Sequence, residues 1–197
     1  MNNLPPVYKE LQLKQIIITS LIAGFFLLPI HELGHVICDW LTGNPAGMSY
    51  ARDYLLGNSK ETFLGELGGP LLPILISTVA VLLIYKGKIN LSVIYPFAVL
   101  GCMDRLTLYI IGILPSDERY LAGYMHWNMY AFRNIFLSCE IILLFFIIYS
   151  LFRFHVRLKM KILCLLIPII SFIILAAFGV LIVEKYIFPT QFHLQFG

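Results

Sequence analysis

The chain reads as an all-α integral membrane protein with about five transmembrane helices, and three observations carry that reading. Of its 197 residues, 59% are hydrophobic and only 13% charged, a balance far from that of a soluble domain. The apolar residues gather into five runs, each near the roughly 20 residues that a helix needs to cross a bilayer. Hydrophobicity within the runs is continuous, which excludes the alternating strands of about ten residues that build a membrane barrel.

The first run extends from Leu13 to Leu41, after a polar start containing Pro5-Pro6, Lys9 and Lys14. It is too long for the apolar part of a signal peptide and has no small-residue cleavage site, so it is expected to be a retained span. A polar connection from Thr42 to Lys60 leads to the second run, Phe63 to Tyr85, which Lys86-Gly87-Lys88 ends. The third runs from Ile89 to Leu114, the fourth from Trp127 to Phe152 and the fifth from Ile162 to Ile182. Residues 1–197 are thus expected to form a single transmembrane domain, a compact helical bundle without a sizeable extramembrane part.

Charge assigns an orientation. Lys9, Lys14, Lys86, Lys88, Arg153, Arg157, Lys159 and Lys161 all fall on one side of a five-span arrangement, and that side is expected to be cytoplasmic, with the amino terminus inside. The net charge of +3 is small and its basic residues sit in loops without aromatic interleaving, which points to lipid headgroups rather than nucleic acid. Cys38, Cys102, Cys139 and Cys164 lack paired spacing and make no disulfide framework. Asn90-Leu91-Ser92 matches a glycosylation sequon, but it falls at a cytoplasmic helix start and is read as coincidence.

The chemistry lies in His31-Glu32-Leu33-Gly34-His35. Residues four apart on a helix share a face about one turn apart, so both imidazoles can reach one ion. Neutral imidazole is a good zinc ligand, and a neighbouring carboxylate can take a proton from metal-bound water without itself being a ligand. Ionisable groups inside an apolar run cost about 3 kcal/mol each even on the lenient insertion scale, which argues for function. Iron or cobalt would fit the same ligands, and zinc is favoured by abundance and geometry.

A two-His site needs a third protein ligand and an open position for water. Asp117, at the late end of the third run, is the first candidate and Asp104 its rival. A helical path between them would put them about 20 Å apart, so only one should serve. Cys38, Glu66 and His126 complete the candidates, with His126 better explained as an interfacial neighbour of Trp127. Pro29 should loosen the turn before the motif, and Gly68-Gly69-Pro70 with Pro73 can either unwind beside a polar cavity or pack helices closely.

At these residues the chain resembles the site-2 protease family of intramembrane zinc metalloproteases, in its short, compact form, over residues 1–120. The HELGH run is similar to the family's first core helix, Gly68-Gly69-Pro70-Leu71-Leu72-Pro73 to its Gly-Pro element, and Leu114-Pro115-Ser116-Asp117 to its Pro-and-Asp element. The resemblance implies a three-helix catalytic core formed by the first three segments, zinc held by His31, His35 and Asp117, and Glu32 as catalytic base. Gly112 stands where the family's longer form has an Asn, and Glu118 follows Asp117 where that form has Gly. Relatives often place the motif nearer the cytoplasmic side, against the orientation that the charges assign.

The function expected is intramembrane proteolysis: a zinc metalloprotease, a hydrolase with one Zn2+ per chain, acting on a transmembrane protein or peptide substrate within the lipid bilayer. It would reside in the cell membrane if the source is prokaryotic. Accessory regulators are expected to be separate membrane partners. The competing expectations are a non-proteolytic zinc-binding membrane protein and, behind it, a metal transporter.

Overall fold

The structure, a computed structural model, describes residues 11–86, 90–110, 115–153, 157–187 and 194–196. Pro5-Pro6, Lys9, Lys88, Gly112 and Leu114 lie outside the described residues. The chain is mostly helical, with seven helices in the described residues: α1 (Leu13–Leu41), α2 (Phe63–Lys86), α3 (Leu91–Gly101), α4 (Met103–Ile110), α5 (Ser116–Tyr124), α6 (Ala131–Arg153) and α7 (Leu158–Phe178). Gly179–Ile187 extends α7 in wider π-helical turns.

Four of these helices, α1, α2, α6 and the extended α7, are long and apolar enough to cross a membrane. The third expected span is not one straight helix. α3 and α4 meet at a break of 46° around Cys102, so a fifth crossing exists only if this bent pair counts as one. The first span matches its expected limits. The fourth begins four residues later than expected, because Trp127 to Tyr130 form turns in which Asn128 holds the N–H of Tyr130.

α1 ends where its sequence provides a stop. Thr42 and Asn44 return hydrogen bonds to the Asp39 carbonyl, and Gly43 follows at φ +82°, the left-handed conformation that glycine enters without penalty. Asn90, read above as a chance sequon, caps α3 by accepting from the Ser92 N–H, and its amide donates to Gln15 of α1. The polar connection after α1 contains strands that its composition did not announce. β1 (Ala46–Met48) lies between β2 (Asp53–Leu55) and β3 (Leu194–Phe196), both antiparallel to it, with Gly47 opposite Tyr54 and Gln195.

The core packs α1, α2, α3, α6 and α7 through residues such as Ile16, Ile84, Tyr95, Leu100, Ile147 and Cys164. α1 and α2 cross at backbone contact. A Cβ on Gly34 would strike the Gly68 carbonyl, and one on Gly68 would strike the Gly34 carbonyl. The Gly68-Gly69-Pro70 stretch is therefore helical and buried against α1, which settles its role as close packing rather than an unwound strand. All four cysteines are free thiols.

Pro29 has no N–H, so the Phe25 carbonyl one turn earlier loses its helical donor. The Tyr50 hydroxyl supplies it at 2.7 Å, reaching α1 from the loop between β1 and β2. Burial pushes that hydroxyl up to about 12, which keeps it a donor. The same ring lies against Gly179, where any Cβ would collide with it. Tyr50→Phe should leave a buried carbonyl unsatisfied and lower stability by about 1–3 kcal/mol, read as a lower unfolding midpoint in detergent.

Candidate metal centre

α1 presents His31 and His35 one turn apart on its buried face, as the spacing predicts. The first turn of α5 brings Asp117 to them; Pro115, at the cap position, has the extended backbone that starts a helix. His31 Nε2 and His35 Nε2 are 3.2 Å apart, and Asp117 Oδ2 lies 3.3 Å from the first and 3.4 Å from the second. Three potential ligand atoms thus form a nearly equilateral, buried triangle.

The far side of each ring decides what the triangle contains. His35 Nδ1 is 2.8 Å from the Gly65 carbonyl, which can only accept, so Nδ1 carries the proton and Nε2 a lone pair. His31 Nδ1 is 2.9 Å from Asp104 Oδ2, which imposes the same tautomer. Arg105 Nη2 donates to His31 Nε2 at 2.9 Å, as this tautomer requires. Both Nε2 atoms and the Asp117 carboxylate oxygen then face one another, with the Arg105 guanidinium at their edge, an arrangement whose donor set suits a cation.

The spacing suits one. Tetrahedral zinc at its usual ligand distances sets neighbouring ligand atoms about 3.3 Å apart. The buried His31, His35 and Asp117 group can hold a metal ion. Gly69 makes room for the His35 ring, since a Cβ there would enter it. Arg105 also ion-pairs with Asp117, and its Nε is held by Glu118 Oε1 at 3.3 Å and Asp104 Oδ2 at 3.7 Å. The guanidinium therefore stays anchored by two acids if Nη2 yields its atoms to an ion. Burial pushes the Glu118 carboxyl up against the opposing charge of Arg105 and the hydrogen bond from Tyr109.

Asp104 and Asp117, expected about 20 Å apart on a helical path, instead touch opposite nitrogens of one imidazole. Asp104 lies on α4 and Asp117 on the separate helix α5, so the single helical path on which that separation rests does not exist. Asp104 thereby orients His31, and Asp117 is the acid that completes the triangle. The remaining candidates stand apart from the triangle. His126 is exposed in the turn after α5, at φ +54°, while Cys38 lies against Gly68 and Glu66 lines a neighbouring cavity.

Glu32 is buried, and one of its carboxylate oxygens lies within 4.8 Å of a His35 ring nitrogen and of a carboxylate oxygen of Asp53 on β2. It lines a cavity of about 760 Å³ together with the triangle. The opposite wall of that cavity is apolar, formed by Phe172, Ile173, Val180 and Leu181 of α7 and its extension. A second cavity of about 440 Å³ meets it at Asp53, Ser116 and Asp117 and is lined by further acids.

Sequence reasoning missed Asp53, the Gly65 carbonyl and the part played by Arg105. Arg105 had a signal, a cation inside an apolar run, that invites a functional reading. Asp53 had none, because acids are ordinary in a polar connection.

Asp117→Ala should abolish stoichiometric zinc binding, whereas Asp104→Ala should retain zinc with affinity about 10- to 100-fold weaker, both measured by competition titration of purified protein. No protein-family model, curated protein or solved structure matches the chain, so what the site can do rests on its own atoms.

Proposed function

We propose that the protein is an intramembrane zinc metalloendopeptidase, as the resemblance to the site-2 protease family implies. The observation that carries the proposal is the triangle of His31 Nε2, His35 Nε2 and Asp117 Oδ2, with Glu32 beside it in a cavity with one apolar wall. Zinc supplies a Lewis acid and lowers the pKa of water at its open position.

The chain's own residues do the rest. Glu32 accepts the proton of the attacking water and passes it to the departing amine. Its place next to His35, but outside the triangle, suits a base that is not a ligand. Asp104 and the Gly65 carbonyl keep both Nε2 atoms unprotonated and aimed inward. Arg105, paired with acids on either side, keeps a fixed positive charge beside the cavity where negative charge develops.

The substrate class follows from the walls. A cavity with one apolar wall, flanked by helices fit to cross a membrane, suits a transmembrane segment of another protein. A regular helix hides its peptide bonds, so the segment must unwind locally and should carry helix-breaking residues near the cut. α7 forms the apolar wall, and its displacement would admit the segment from the lipid. The enzyme would act in the cell membrane of a prokaryotic source, with selection among substrates left to a separate membrane partner.

Glu32→Gln separates the enzyme from a zinc-binding protein of another kind. Reconstituted with transmembrane peptides carrying Gly or Pro near their centre, wild-type protein should cleave and the variant should lose about 10²- to 10⁴-fold in rate while binding zinc normally. Undiminished cleavage by the variant would overturn the mechanism.

A further inference from the structure

We propose that Glu140 of α6 is a positioning residue of the metal centre, holding α4 in the placement from which Asp104 orients His31. This rests on the reading of His31, His35 and Asp117 as metal ligands, and it extends the site into a helix beyond residues 1–120, where the resemblance ends.

Glu140 is the tenth residue of α6, about 14 Å from the start of this apolar helix. Its neighbours Ile141 and Ile142 are 52% and 55% exposed, whereas Glu140 is completely buried. A carboxyl in such a place needs a reason. Its Oε1 accepts the backbone N–H of Arg105 at 3.1 Å, and Oε2 has no hydrogen-bond partner among the described residues.

The break at Cys102 explains the contact. A new helix starts at Met103, and the N–H groups of a first turn have no carbonyl one turn back to accept from within their own helix. An acid is the strongest acceptor for such a group, because it also meets the positive end of the helix dipole. No side chain of this break caps α4 at Arg105; the cap comes from α6. It bears on the two residues that touch His31 from α4. Asp104 takes the Nδ1 proton and Arg105 donates to Nε2. If the turn that carries them shifts, the carboxylate leaves Nδ1, and His31 can adopt the tautomer that puts a proton on the ligand nitrogen.

Three variants of the full chain test this. Glu140→Gln keeps an acceptor oxygen at the same reach, Glu140→Asp keeps the carboxylate but withdraws it by about 1.5 Å, and Glu140→Leu removes it. Two readouts apply: the ring ¹⁵N chemical shifts of His31 in the intact protein in detergent, and Co²⁺ affinity with its ligand-field spectrum. The Gln variant should match wild type in both. The Asp and Leu variants should lose the Nδ1–H signature of His31 and bind Co²⁺ about 10- to 100-fold more weakly, with wild-type helical content by circular dichroism. Should Leu prevent folding, Asp, which retains the carboxyl group, decides. Wild-type His31 shifts and Co²⁺ affinity in a folded Asp or Leu variant would overturn the proposal. Wild-type protein that takes up no Co²⁺ would refute the metal reading instead, and the His31 shifts would still decide the role of Glu140.

Discussion

The pairing of His31 and His35 each with an acceptor on its far side is the constraint on which the rest of the site depends. A histidine with a free choice of tautomer places its proton on either nitrogen, and a pair of them so close would share one. Here the Gly65 carbonyl and Asp104 remove that choice, so both Nε2 atoms and the Asp117 carboxylate converge at a buried wall of the cavity. Arg105 brings positive charge to this group, and the lengths of its edges match those between the ligand atoms of a tetrahedral ion.

Backbone proximity makes this possible. The Gly65 carbonyl can reach His35 only because α1 and α2 cross at Gly34 and Gly68, where neither helix has a side chain. Gly69 clears the His35 ring in the same crossing. Three glycines and one carbonyl thus act together: small residues bring the helices close, and closeness turns an ordinary helical carbonyl into the group that sets a tautomer. Proline has an equivalent consequence on the other side of the motif. Pro29 frees the Phe25 carbonyl, and Tyr50 both satisfies it and seats Gly179, linking the loop, the site helix and the wall of the cavity.

Charge in the centre is balanced by dense pairing. Arg105 is surrounded by Asp104, Asp117 and Glu118, and Glu118 in turn accepts from the Tyr109 hydroxyl. In an apolar bundle each of these groups would be unfavourable alone, and each becomes tolerable through the others. The acids do different things according to which atom they meet. Asp104 faces a protonated ring nitrogen, Asp117 faces lone pairs, and Glu32 faces the cavity, so three carboxylates of similar chemistry become orienter, ligand candidate and base candidate by placement alone.

The sequence by itself determined the helical class, the limits of the first two long helices and the pair of imidazoles on one face of α1, because hydrophobic runs and a spacing of four are local properties of the chain. It also put Asp117 first and Asp104 second among five candidates for the third ligand, both visible as ionisable residues beside or within an apolar run. Tertiary structure decided between their roles. Because α4 and α5 are separate helices, an expected separation of about 20 Å became contact with opposite nitrogens of His31. The short sheet, the approach of Asp53 and the capping of α4 by Glu140 belong to the same class, since each is a contact between elements that no local pattern of the chain marks. Which nitrogen of a histidine keeps its proton is set by whatever lies across from it, and that is known only once the chain has folded.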